Sequence, residues 1–449
     1  MEISSIYNDH MILQANMPCR INGRCAPDCH DLKATLIKDA DGSQRVFCGK
    51  NINGEFEIRL DSTGYGGPYT LTISGKNEET ITYKDVLFGE VFVMGGQSNM
   101  GWSMSQCYDG TTEKLLYREI IDNSENDMVR HMQVWPTESD VPVRYLEICN
   151  FWAPANKENV INWSAVAYFF AQRLQALCTV PVGVIVACMG ATPIGAWVPG
   201  ATWYNGVVAP VSKYTSRGVC WYQGEGDPVN YGIRLAELIG QWRREFENPE
   251  LYWAAVELPR YVDWQSWGLS RDEVHKVKEM VSGYTYCVTL DTGLYPEWNA
   301  DGDNMNEGGI HPYQKKEVGE RLADAVYKEF FGGKGLLTSP LAVKVDRKEP
   351  DIVEIEFENV GAGLCLQGIN GFEVTENGSD YYDADPQLIS TNRIALTCEK
   401  VGIVKRVRYG YINKRGAGIN SCSDSVCVYN TEDGKTPAYP AEQFILDCE

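Results

Sequence analysis

The stretch Glu90-Val91-Phe92-Val93-Met94-Gly95-Gly96-Gln97-Ser98-Asn99-Met100 decides how this chain is read. Its apolar run is too short for a buried helix and reads as a strand with both faces covered. Two glycines then allow a tight turn, and a serine follows where a helix could begin. Three more runs end in the same way: VGVIVACMG (residues 182–190), RGVCWYQG (217–224) and YTYCVTLD (284–291). Between them lie stretches with apolar residues every three or four positions, SAVAYFFAQRLQAL (164–177) and IRLAELIGQWRREFE (233–247), which predict amphipathic helices. Buried strands alternating with helices imply a parallel sheet covered on both faces.

Outward from this zone the texture changes. Residues 1–85 hold short alternating runs, such as DLKATLIKDA, GEFEIRL and GPYTLTISG, which predict an N-terminal β-rich domain. After GGKG (332–335) short alternating runs return in VKVDRK, IVEIEFEN, RIALTC and VKRVRYGYI, predicting a C-terminal β-rich domain over 333–449. The expected division is therefore 1–85, 86–332 and 333–449. With 449 residues the length accommodates three domains.

Composition narrows the function classes. Sixty-one acidic residues against 40 basic ones give a net charge of −21. Such a chain repels phosphate backbones and anionic lipid, so nucleic acid and membrane surfaces are not expected partners. The first residues carry no basic start followed by an apolar core, and no apolar stretch has the length of a membrane helix. The expectation is a soluble, cytoplasmic protein. The 15 cysteines are scattered, and Cys188, Cys220 and Cys287 sit inside apolar runs, as small buried hydrophobes in a reducing compartment do. Cys25, Cys29 and His30 cluster, but their spacing matches no standard zinc site, so no metal is expected. Oligomeric state is not readable.

Ligands of open α/β sheets bind at the carboxyl ends of the strands, which directs attention to the residues after each run. Ser98 is either an exposed nucleophile beside the N–H groups of a helix start or simply that helix's cap. Asn99-Met100 after it departs from the G-x-S-x-G elbow. Gly190-Ala191-Thr192-Pro193 is a turn where backbone can approach a ligand, or an ordinary strand exit. Gln223 and Glu225 pair a side-chain amide with a carboxylate, suiting an oxyanion donor beside a histidine orienter, or merely a polar loop. A serine nucleophile needs a base, and the chain has five histidines. His10 and His30 fall in the N-terminal zone, His131 in a segment with no clear element, and His275 on the helical stretch EVHKVKEM. His311, on the loop NEGGIHP after the last strand of the α/β zone, remains by elimination.

GQSNM, GATPIGAW, WYQGEGD and IHPYQKKEVGERLA, in this order, resemble the sialate O-acetylesterase-like branch of the SGNH hydrolases. NDHMILQ resembles the opening of that family's N-terminal β domain, and VRYGYIN a strand of its C-terminal one, so the likeness covers nearly the whole chain. The resemblance implies a flavodoxin-like three-layer α/β/α hydrolase domain between two β-rich domains, removing O-acetyl groups from sugars without a cofactor. It implies Ser98 as nucleophile, His311 as base, and an oxyanion hole of the Ser98 and Gly190 amides with the Gln223 side chain. It also implies that Trp197 shapes the acyl or sugar pocket.

The chain departs from the family pattern where many members carry an aspartate just before the histidine; Gly308 and Gly309 stand there. Glu225, in a QGE motif like that of related acetylxylan esterases, becomes the expected triad acid, with Glu307 and Asp303 as substitutes. An EF-hand reading of the loop DGDNMNEGG fails at Met305, Asn306 and Pro312. Two other functions stay open: an esterase of acetylated xylan or mannan oligosaccharides, and a non-catalytic carbohydrate-binding protein. For a sialate carboxylate, Arg217, Arg260 and Arg271 are available.

Overall fold

A computed structural model describes residues 1–110, 114–146, 149–227, 229–260, 267–292, 310–335, 338–367, 371–411, 428–434 and 437–448. The chain is a mixed α/β structure with several sheets, and it forms two compact units. The first holds Met1–Gly226, Arg234–Ala254 and Val281–Tyr284; the second holds Asp227–Ile233, Ala255–Met280 and Thr285–Glu449.

In the first unit, strands β1 (Glu2–Ile3), β2 (Ile12–Gln14), β3 (Cys19–Arg24), β4 (Lys33–Lys38), β5 (Gln44–Ile52), β6 (Glu55–Leu60) and β7 (Gly66–Ser74) lead into the long β8 (Ile81–Gly96). The order β1-β3-β6-β5-β4-β7-β8 is antiparallel throughout, with β2 added parallel to β8. β8 changes partners along its length. Its first half pairs with β7, and from Glu90 to Gly96 it runs parallel to β11 (Val182–Cys188). Glycine is required at the changeover, where a Cβ on Gly89 would stand 2.2 Å from the Pro181 carbonyl oxygen.

The parallel part continues from β11 to β9 (Asn126–Val134), with β10 (Cys149–Ala155) antiparallel at the edge. On the other side of β8 lies parallel β12 (Gly218–Tyr222), followed by β13 (Tyr252–Val256). β11 and β12 are buried at every residue, as their unbroken apolar runs require. Helix α5 (Ala165–Cys178) begins where Ser164 Oγ accepts the Ala167 N–H at 3.1 Å, and it buries Ala165–Ala171 and Leu174. Shorter helices α1 (Ser98–Gly101), α2 (Met104–Gly110), α3 (Lys114–Asp122) and α4 (Lys157–Val160) precede it.

The segment around His131, without a clear element in the sequence, is β9. Its buried Arg130 donates to the carbonyls of His10, Asp85 and Asp127, which lets a guanidinium occupy a sheet interior. Among the described residues no helix is long and apolar enough to cross a membrane.

Helix α6 (Tyr231–Glu245) follows the predicted periodicity. In the second unit, α7 (Trp267–Met280), β14 (Tyr284–Cys287) from Thr285 onward and α8 (Lys315–Phe330) precede β15 (Leu341–Glu349) to β25 (Phe444–Asp447). Those strands form two four-stranded sheets and one of three strands. Val353, Ile355, Phe357, Phe372, Tyr409 and Phe444 fill their core.

Candidate active site

The site is assembled where three strands of the first unit end. At the end of β8, Gly95 lies against the Trp221 ring, and a Cβ there would stand 2.9 Å from it. Gly96 has φ +124°, and a Cβ on it would stand 2.1 Å from the Tyr222 carbonyl oxygen. Only glycine fits, on both counts. The chain then passes between its neighbours, with Gln97 N–H on the Tyr222 carbonyl (3.0 Å) and Met189 N–H on the Gly96 carbonyl (3.2 Å).

Gln97, in extended conformation, occupies the N-cap position of α1, and Ser98 is the first helical residue. This corrects the cap reading of Ser98: its side chain enters at the head of the turn, one residue past the position from which a cap works. Ser98 is half-buried and the following Asn99 fully buried.

Gly190, just past β11, faces this serine; a Cβ on the glycine would stand 3.4 Å from Ser98 Cβ. Ala191 then takes a left-handed conformation at φ +58°, so the turn is tight despite its side chain. Thr192 Oγ1 donates to the Met189 carbonyl at 2.7 Å, closing the turn. Trp197 is fully buried, and its Nε1–H donates to Thr192 Oγ1 at 3.0 Å. Its ring meets Trp221 edge-on, and its carbonyl accepts Trp242 Nε1–H at 2.9 Å. The structure thus places Trp197 in a tryptophan-rich core, bracing the 189–192 turn.

From the end of β12, Gln223 is 1% exposed and donates from Nε2 to the Thr192 carbonyl at 3.2 Å. Gly224, at φ +131°, turns the chain so that Glu225 also points inward, 3% exposed. Glu225 Oε1 accepts Asn99 Nδ2–H at 2.7 Å. Ser98, Asn99, Gly190, Gln223 and Glu225 therefore converge from three strand ends. Asn99 was missed by the sequence reasoning, which treated it only as a departure from a motif. The signal was there, because a buried carboxylate requires donors and an amide stands beside the serine.

His311 belongs to the second unit, half-buried just ahead of α8. Glu307 and Asp303 lie outside the described residues. The other histidines are accounted for. His10 pairs with Asp85 at 2.7 Å, and His30 is exposed beside Asp31. His131 is buried on β9, stacked on Trp163, and His275 is bonded to Glu257.

Two of the arginines available for a substrate carboxylate are engaged internally. Arg217 is paired with buried Glu90 (2.7 and 3.1 Å). Arg271, fully buried, donates to Gln443 and to the Leu258, Pro259 and Gly410 carbonyls. Among the described residues the one group able to hold a metal is Cys25, Cys29 and Glu78, whose ligand atoms lie within 4.8 Å of one another. Glu78 there already accepts the Ala26 N–H at 2.6 Å, and His30 stands outside the group. The thiol beside the serine turn is inert, since burial pushes Cys188 up to about 12.

Residues 88–328 match the family model of carbohydrate esterases described as sialic acid-specific acetylesterase. The chain is 26% identical over 357 residues to the sialate O-acetylesterases of Pongo abelii and of Homo sapiens, covering 68% of this chain. It spans 66% of the length of each of these relatives, just under two thirds. Among solved structures, a carbohydrate acetylesterase from Xanthomonas citri superposes with a TM-score of 0.82 over 99% of both chains, at 24% identity. That likeness extends the shared fold to nearly every residue.

Proposed function

Since the chain belongs to the carbohydrate esterase family of sialic acid-specific acetylesterases, we propose that it removes O-acetyl groups from sugars through a serine nucleophile and an acetyl-enzyme. The observation that carries this reading is the approach of Ser98 to Gly190, with Gln223 fixed on the same turn. In this reading His311 takes the Ser98 proton as the hydroxyl attacks the acetyl carbonyl. The Ser98 and Gly190 amides and Gln223 receive the oxyanion. Glu225 is the triad acid, with Glu307 or Asp303 as substitutes, and Asn99 holds its carboxylate in place. Trp197 acts on the substrate through the turn it braces. The sugar hydroxyl leaves with the proton, and water then releases acetate.

We assign the chemistry to a three-layer SGNH domain over residues 86–332, between β-rich domains over 1–85 and 333–449. A cytoplasmic location and action on small sugar esters rather than nucleic acid or membranes complete the proposal. The acidic charge and the free state of every described cysteine support it. A second substrate reading, neutral acetylated xylo- or manno-oligosaccharides, is favoured by the internal engagement of Arg217 and Arg271, which leaves fewer cations for a sialate carboxylate.

The test is acetate release by wild type and Ser98→Ala, on O-acetylated sialic acid and on acetylated xylo- and manno-oligosaccharides. The variant should lose at least about a thousandfold in kcat. Release unaffected by Ser98→Ala would remove the nucleophile, and the preferred sugar decides between the two substrates.

A further inference from the structure

Trp135 is the one exposed tryptophan among the described residues, at 53%, and its position is the reason to ask what it binds. An exposed indole leaves a large apolar face in water, and such faces at a site serve recognition more often than stability. The strand register locates it. β8 and β11 pair Gly96 with Cys188, and β11 and β9 pair Val186 with Gln133. β9 ends at Val134, so Trp135 is the first residue past its carboxyl end, as Gln97 is past that of β8. At the usual spacing of neighbouring strands, two steps across the sheet place it about 10 Å from the β8 end. The Gly190 turn lies between them. The backbone of Trp135 thus stands on the same carboxyl edge as the candidate nucleophile, while its indole leans towards Asn150 on β10, the neighbour of β9 away from β8.

The ring is also held in place. Its Nε1–H donates to Asn150 Oδ1 on β10 at 3.0 Å, and Thr137 Oγ1 donates to the Trp135 carbonyl at 3.2 Å. The chain beyond is fastened by buried Asn205, whose Nδ2 donates to the Ser139 carbonyl and whose carbonyl accepts Val143 N–H. An aromatic face already fixed costs little ordering on binding. Gln133 and Asn150 stand paired beside it, and Asn150 is followed by the exposed ring of Phe151, a mixture that suits the hydroxyl rim and the C–H face of a sugar.

We propose that Trp135 is a sugar-stacking platform that receives the carbohydrate part of the acetyl ester on its exposed face. This rests on the sugar-ester reading of the site. The apolar C–H face of a pyranose further along an oligosaccharide would lie on the indole while the acetylated unit reaches Ser98, so Trp135 would contribute to binding and choice of substrate and take no part in bond making.

The experiment compares specificity constants for an acetylated xylo-oligosaccharide, O-acetylated sialic acid and 4-nitrophenyl acetate, a substrate with no sugar to stack. Trp135→Ala should lower the ratio of sugar ester to aryl ester about five- to tenfold, with the loss appearing in KM rather than kcat. Trp135→Phe should recover most of it. The same ranking should appear as weaker binding of the acetylated sugar to the Ser98→Ala protein in calorimetry. A ratio unchanged by Trp135→Ala, while wild type releases acetate from the sugars, would overturn the platform and leave the esterase reading standing. Wild type that cleaves the aryl acetate but no acetylated sugar would overturn the sugar-ester reading, and the platform with it.

Discussion

Two imidazoles, His131 in the first unit and His275 in the second, each lie nearly flat against an aromatic ring. The ring centroids are 4.7 Å apart for His131 on Trp163 and 4.4 Å for His275 on Tyr286, with interplanar angles of 9° and 13°. Their titrations nevertheless diverge. His131 is 2% exposed, its Nε2 has no hydrogen-bond partner, and desolvation drives it down to about 3. For His275, burial also opposes the charge. The hydrogen bond and charge of Glu257, helped by Glu442 and Asp272, outweigh it and raise the value. Stacking does not decide the charge of an enclosed histidine; the carboxylate does. Neither ring suits a general base for Ser98, since His131 is too weak a base and His275 is tied to its acid.

The comparison breaks most visibly at Glu257. This residue is fully buried, accepting His275 Nε2 at 2.8 Å on one oxygen and Thr289 N–H at 2.9 Å on the other. Removing one partner of such a pair leaves an uncompensated charge in the interior. Glu257→Ala should lower stability by about 3–5 kcal/mol, read from the urea midpoint. A cost under about 1 kcal/mol would mean that His275 is not charged in the folded protein.

The next effect is acid sensitivity from His131. Its folded value, about 3, lies below the unfolded one near 6.5, so folding favours the neutral ring. That stability is fully present above pH 6.5 and is lost as pH falls towards 3, at about 1.4 kcal/mol per pH unit. His131→Phe keeps the stack on Trp163 and cannot be protonated. The difference in stability between the two proteins should therefore shift by about 2–3 kcal/mol in favour of the variant between pH 6.5 and 4.5. Parallel pH curves would show that water reaches Nε2.

His131 also marks where the sequence stops being legible. The second half of β8, β11 and β12 were readable because they end in short apolar runs buried at every residue, and the helices because their period holds. β9, NDMVRHMQV, was not: Arg130 and His131 read as solvent residues, and only distant carbonyls and Trp163 make their burial tolerable. The site divides in the same way. Ser98, Gly190, Gln223 and Glu225 could be named because each follows a recognisable strand. Asn99 acquires meaning only once Gly224 turns Glu225 towards it, a contact across 126 residues that no local pattern encodes. Trp197 looked like a pocket residue by its motif, and its burial among Trp221 and Trp242 depends on packing alone.

The smallest effect should come from His275 itself, at the opposite end of the pH scale. Its folded value is raised above 6.5, so its contribution is fully present below 6.5 and is lost as pH rises through the folded value. Buried Glu442, which accepts the Tyr286 hydroxyl at 2.8 Å, is raised as well, chiefly by burial. Its contribution is complete below the unfolded value near 4.5 and fades as pH climbs through its own folded value. Both groups thus tilt stability downward with rising pH, in different windows. His275→Gln removes the upper one and, by taking away the charge that lowers Glu442, lets the lower one rise further. Wild type should lose about 1 kcal/mol more than this variant between pH 6.5 and 9. A wild-type curve that stays level with the variant above pH 6.5 would mean that folding does not raise the titration of His275, and would reduce the contrast with His131 to a difference in burial.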